Sequence, residues 1–289
     1  MNKYKYMSLI VVTTLLMGIA FPIGKIGLNY APPFFLMGLR YLLAGGLLAL
    51  IVAKRPRPRG RKQWLQAVVI GLFQTAAVMG CVYYSMYWIT SSESAIITSI
   101  SPLIVIIIAT LFAGAIYSRR QWLGVVLGFI GVAFTFGLHL SLQPGTFISF
   151  GGAACFAAAT LLIKRWGPGF DMTALAAYQM LAGGVALLLI SGFTEHPYFT
   201  ISIKSVSVLL WLAIFCSIIQ FSIWFYLLRS GDAAKTSSFL FLAPFFGVLS
   251  SWLLLGEQVK WYALVGGVFI CIGIFLVNWE NKAKRFIEI

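Results

Sequence analysis

Acidic residues are scarce in this chain of 289 residues: Glu93, Asp171, Glu195, Asp232, Glu257, Glu280 and Glu288 stand against 21 lysines and arginines. Each acid falls at or beyond the end of an apolar run, so no carboxylate is placed to relay protons in the middle of a span. The two histidines, His139 and His196, also lie near run ends. The four cysteines (Cys81, Cys155, Cys216, Cys271) sit inside apolar runs without CxxC or Cys/His spacing, so they read as small buried hydrophobes and call for no metal or disulfide. There is no HExxH, no buried aspartate pair and no Ser/His or Ser/Lys arrangement, which argues against an intramembrane enzyme. No cofactor is called for. Long polar stretches that could fold as a separate soluble domain are missing too.

What fills the chain is apolar: 61% hydrophobic residues, 10% charged, and a mean hydropathy of +0.95. Ordinary soluble domains hold roughly 45–50% apolar residues, and a bilayer crossing takes about 20. Apolar runs and their breakers predict ten spans, at about 7–28, 34–53, 64–88, 93–115, 121–140, 146–165, 173–193, 206–228, 235–255 and 261–280. Trp64, Trp88, Trp122, Trp166, Trp261 and Trp279 fall where an interfacial aromatic belt would place them. The fold class expected is an all-α integral membrane protein, with the lipid bilayer as its solvent.

The net charge of +14 does not imply a nucleic-acid partner here, because lysines and arginines gather in cytoplasmic loops and set orientation. With a cytoplasmic N-terminus, 17 of the 21 basic residues fall inside, among them the cluster Lys54 to Lys62, and only Lys25, Lys204 and Lys260 fall outside. Arg40 lies within the second span. Both termini are thus expected to be cytoplasmic.

The chain also repeats itself. SSESAIITSISP (Ser91 to Pro102) is echoed by AAKTSSFLFLAP (Ala233 to Pro244), 142 residues on, and the same offset pairs Gly114 with Gly256, Gly124 with Gly266 and Gly131 with Gly273. RYLLAGG from Arg40 is echoed by YQMLAGG from Tyr178, and Lys25 by Lys164. Each copy, 1–140 and 141–289, holds an odd number of spans, so the second must enter the membrane from the opposite side. Ten transmembrane helices as two inverted five-helix repeats is an architecture of secondary transporters.

GIAFPIGKIGLNYAPPFFLMGLRYLLAG (Gly18 to Gly45) resembles the opening of the EamA branch of the drug/metabolite transporter superfamily. Ser94 to Gly131 and its twin Thr236 to Gly273 resemble the fourth-and-fifth helix signature of each half in that family, with small residues, a proline, a Gly-Glu turn and a glycine-spaced helix. LLLGE (Leu253 to Glu257) keeps the turn; the first half departs with AGAIYSRR, and Met17 replaces a usual tryptophan. The resemblance implies a ten-helix exporter of amino acids or related small metabolites, in a bacterial inner membrane, with a cavity between the halves.

Uncharged polar residues deep in the spans are the candidate contacts for a small-molecule substrate. Gln74, Tyr83, Ser99, Tyr178, Gln179, Gln220, Trp224 and Phe241 offer amides, hydroxyls and rings suited to a neutral or zwitterionic solute. Their competing use is interhelical hydrogen bonding. Arg40 and Lys25, near the outer ends of their spans, are candidate gating residues; Arg40 has the alternatives of a substrate carboxylate, a backbone carbonyl or snorkelling to the surface. Pro102 and Pro244 are candidate hinges or fixed kinks, since each removes a helical N–H. Exchange of sugar phosphates or nucleotide sugars would want several cavity cations and finds only Arg40. A non-transporting scaffold, a coupling ion or proton, and the choice of monomer or homodimer stay open.

Overall fold

The structure, a computed structural model, describes residues 3–113, 118–135, 143–230, 242–258 and 261–278. Among these residues there are ten helical spans and no strand. They are α1 (Lys3–Gly27), α2 (Pro33–Ile51), α3 (Gly60–Ser85), α4 (Ser91–Thr98 and Ser101–Ala113), α5 (Arg119–Thr135), α6 (Pro144–Trp166), α7 (Met172–Thr194), α8 (203–230), α9 (Leu242–Leu255) and α10 (Trp261–Asn278). Seven stretches, Gly60–Ser85 and Ile203–Trp224 among them, are long and apolar enough to cross a bilayer.

Packing follows the repeat, with each helix of one half meeting the partner of its counterpart in the other. Thus α5 lies on α10, α2 on α7, α1 on α9 and α6 on α4. Likewise α8 meets α1 and α2, while α3 meets α6 and α7. Small residues make the closest of these crossings: a Cβ on Gly131 would stand 2.6 Å from the Gly266 carbonyl oxygen, and one on Gly273 would stand 2.5 Å from that of Gly124. Backbones approach this closely only where side chains vanish, and in lipid such packing is a main source of association. A central cluster of Ala20, Leu36, Met37, Tyr41, Tyr83, Met180, Leu187 and Cys216 joins α1, α2, α3, α7 and α8.

Two features depart from regular helices. First, α4 is interrupted at Ser99 and Ile100. Pro102 supplies no N–H for the Thr98 carbonyl, and the chain restarts with Leu103 donating to the Ile100 carbonyl at 2.8 Å. The expected bend is therefore a break between two helical segments. Pro244 is the third residue of α9, and the residues before it, with Phe241 and Lys235, lie outside the described residues. Second, α3 contains a π-helical segment at Leu72–Ala77 and α8 contains one at Ile214–Ile219. These start 142 residues apart, the same offset as the paired prolines and glycines. A π turn holds one extra residue, turning the downstream helix by about 100° relative to a regular one.

A buried polar interior and two carboxylate caps

The two π segments carry the polar groups of the interior. In α3, the Thr75 hydroxyl donates to Gln179 Oε1 on α7 at 2.7 Å. In α8, the Ser217 hydroxyl donates to its own Leu212 carbonyl at 3.0 Å and accepts from Arg40 Nε of α2, also at 3.0 Å. Each π hydroxyl is thus tied to the second helix of the opposite half.

Arg40 is 2% exposed and is the centre of a larger knot. One Nη donates to the Tyr83 hydroxyl at 3.2 Å and the other to the Cys216 carbonyl at 2.9 Å. Tyr83 passes its own proton to the Ala20 carbonyl at 2.8 Å, and the guanidinium carbon lies 4.8 Å from the centre of the Tyr41 ring. All these acceptors are neutral. Of the alternatives open for Arg40, the structure takes the backbone carbonyl, together with two hydroxyls. Tyr83 belongs to this knot as well, its ring packed where a Cβ on Gly24 would be.

The remaining candidates divide. Gln74 in the α3 π segment is 8% exposed, and Gln220, which directly follows the α8 π segment, is 5% exposed. Neither side-chain amide has a hydrogen-bond partner among the described residues, and neither is sealed from accessible space. In the repeat frame they stand one turn apart on equivalent helices, hence on the same face. Gln179 is occupied by Thr75. Ser99 returns its proton to the Ile96 carbonyl at 2.6 Å, at the break in α4. Tyr178 meets the ring of Trp64 edge-on at 4.9 Å, close to the start of α3, and Trp224 is half-buried. Lys25 donates to the Met86 carbonyl and so ties the end of α1 to the end of α3.

The four described acids cap helix N-termini. Glu93 forms a capping box with Thr90, and Asp171 accepts from the Thr173 and Ala174 amides of its own helix. The other two reach across the molecule. Glu195, just past α7, accepts from the Phe34 and Phe35 amides at 3.1 and 3.2 Å and from Ser191 at 2.7 Å. Glu257 accepts from the amides and hydroxyls of Ser91 and Ser92 at 2.6 to 3.1 Å. Gly256 makes this second cap possible: its φ of +64° ends α9 and turns the chain back over α4. A carboxylate here answers both the unpaired N–H groups and the positive end of the helix dipole. Burial raises the nearby Tyr87 phenol above its ordinary value, and Glu195, Tyr198 and Tyr84 push it the same way.

Among the described residues, the interior thus holds two amides without a hydrogen-bond partner, one cation bonded to neutral groups, and no acid. The placing of acids at span ends was visible in the sequence; the π segments and the cross-molecule caps were not, although Ser91-Ser92 at a helix start and the Gly-Glu turn were the available signals.

Comparison with known proteins agrees with this architecture. An uncharacterized transporter of Bacillus subtilis, YvbV, is 28% identical over 98% of this chain and 94% of its own length. The Escherichia coli inner membrane transporter YedA, also uncharacterized, is 28% identical over 90% of this chain and 87% of its own. A chloroplastic WAT1-related protein of Arabidopsis thaliana is 26% identical over 86% of this chain and 63% of its own. A solved crystal structure shares the fold with a TM-score of 0.68 at 16% identity, over 93% of this chain and 94% of that one. The model of the EamA-like transporter family matches twice, at residues 4–137 and 143–279. With ten helices in two inverted repeats and the family pattern in each, the chain belongs to the EamA-like transporter family of the drug/metabolite transporter superfamily.

Proposed function

We propose that this protein is a secondary exporter of amino acids or similar small neutral or zwitterionic metabolites, working by alternating access in a bacterial inner membrane with both termini in the cytoplasm. The observation that carries the reading is the pair of amides Gln74 and Gln220, on equivalent faces of α3 and α8, which are largely buried, open to accessible space and without a hydrogen-bond partner among the described residues. Amides that reach accessible space deep within the spans, and are not consumed by interhelical hydrogen bonds, are available to a solute entering between the helices. Each amide offers both donors and an acceptor, which suits a solute that carries both. The interleaved repeats support alternating access, since two halves of opposite orientation can exchange shapes around one centre. Residues 1–140 and 141–289 are the two units of that exchange.

Sugar phosphates or nucleotide sugars are the less favoured cargo. A dianion calls for uncommitted cations, and Arg40 spends its donors on Ser217, Tyr83 and Cys216. Counterflow in proteoliposomes with labelled amino acids, purines, sugars and phosphorylated sugars tests the proposal, repeated with and without a pH gradient to find a coupled proton. Self-exchange of an amino acid or another neutral solute is expected, and Gln220→Ala abolishes it while membrane insertion persists. Exchange of sugar phosphates alone, or of no solute, refutes the reading.

A further inference from the structure

The two π segments correspond in position but are not fastened alike. The α3 segment is held from α7 by one neutral contact, Thr75 to Gln179. The α8 segment is held from α2 at two points of one guanidinium, Nε to Ser217 and Nη to the Cys216 carbonyl. Charge-assisted contacts of this kind are roughly twice as strong as neutral ones. The sequence counterpart of Arg40 in the second repeat is Tyr178, which carries no charge and lies against Trp64. The α3 segment therefore has no equivalent clamp to acquire. A buried cation is expensive in a membrane interior and is kept where it acts; this one has no described acid near it, since those acids are committed to helix caps.

We propose that Arg40 is a positioning residue for transport: it clamps the π segment of α8, fixes the facing of Gln220 immediately downstream, and makes the conformation seen here the resting one. If the π turn is lost, the helix beyond it swings by about 100° and carries the Gln220 amide off its face. In an inverted repeat the opposite-facing state would exchange the roles of α3 and α8, and there no guanidinium is available to hold the π segment of α3, since Arg40 meets α3 only beyond it, at Tyr83. The two states are then unequal by construction, and α8 can reset only when Arg40 lets go. This rests on the transporter reading above, but its test does not.

Cys216 lies inside the clamped segment, 3% exposed, and serves as the reporter. The full chain keeping Cys216 alone (Cys81→Ser, Cys155→Ser, Cys271→Ser) is reconstituted in proteoliposomes and treated with N-ethylmaleimide, with labelling followed by mass spectrometry. Arg40→Lys, which keeps the charge but loses the fork, is expected to speed labelling at least tenfold. Ser217→Ala, which removes one of the two points and stays close in volume, speeds it at least threefold. Thr75→Ala leaves it within twofold. A companion protein keeping only Cys81, on α3, separates release of the clamp from general loosening: its labelling stays unchanged in the Ser217 variant, whereas Arg40→Lys also disturbs the Tyr83 contact on α3 and is read at Cys216 alone. Unaltered Cys216 labelling in folded Ser217→Ala protein, or equal acceleration at Cys81, overturns the clamp. Should Arg40→Lys not fold, the Ser217 variant decides alone. Labelling needs no transported solute, so absent counterflow with accelerated labelling sinks the transport reading and leaves the clamp, whereas unchanged labelling in a protein that exchanges solute sinks the clamp alone.

Discussion

The two ends of the helix bundle are tied by contacts of different kinds. Where α2 and α4 begin, Glu195 and Glu257 reach across from the other repeat and together accept from four backbone amides and three hydroxyls. At the opposite end, the halves meet through an Arg55–Asp171 ion pair at 3.5 Å, whose arginine side chain is half exposed, and a Gln63 amide donating to the Gly169 carbonyl at 3.1 Å. The first kind of contact satisfies helix-start amides that have no partner within their own helix; the second adds to groups that are more exposed to water. Desolvation makes a lost cap expensive, and screening makes a lost surface pair cheap. Among the described polar contacts between the halves, those at the glutamate end are therefore the costly ones to lose, while the other end relies on apolar packing of Leu48, Val52, Ala67 and Ile70 against Ala174, Leu175 and Ala177.

This contrast can be broken by substitution. Glu257→Ala leaves the Ser91 and Ser92 amides and the Ser92 hydroxyl without their acceptor, the Ser91 hydroxyl keeping Ser251, and is expected to destabilise the purified protein by about 2–4 kcal/mol, read as a lowered melting midpoint in detergent. Glu195→Gln keeps the shape but loses the charge over the α2 N-terminus, and a loss of about 1–2 kcal/mol should appear in the same assay. Asp171→Ala removes a local cap together with the ion pair and should cost about 1 kcal/mol. Arg55→Ala removes the ion pair and an exposed contact to the Thr173 hydroxyl but keeps the cap, with a change below about 0.5 kcal/mol. Raising the salt from about 0.15 to 1 M shortens the Debye length to about 3 Å, so it should erase the Arg55 effect and spare that of Glu257. A melting loss for Arg55→Ala equal to that for Glu257→Ala would mean that the ends do not differ.

How much of this was legible beforehand depended on range. The ten spans came from apolar runs because the bilayer demands about 20 such residues in a row. The glycine pairs Gly124/Gly266 and Gly131/Gly273 were visible as a repeat, and they are close-packed in α5 and α10. Gln74 and Gln220 were singled out as amides deep in their spans, and they are largely buried there, without a hydrogen-bond partner among the described residues. Tyr83 and Arg40, by contrast, lie in one knot with Ser217, 43 and 177 residues from Arg40 respectively. Nothing local in RYLLAGG announces that knot. The π segments LFQTAA and IFCSII share no composition that distinguishes them from their neighbours; a π turn records a constraint from surrounding helices rather than a preference of its own residues.

Hydropathy, basic-residue bias and the repeat offset determined, from the sequence alone, that this is a ten-span membrane protein in two inverted halves. Each is a local or additive property, and the bilayer imposes it span by span. Only the tertiary structure decided which polar groups are consumed and which are left over. Arg40, Tyr83, Thr75, Gln179, Glu195 and Glu257 are spent on one another and on helix ends, while Gln74 and Gln220 keep unfilled hydrogen bonds. That division depends on the meeting of residues as many as 177 positions apart, and a polar group taken out of water finds its partner only through the fold.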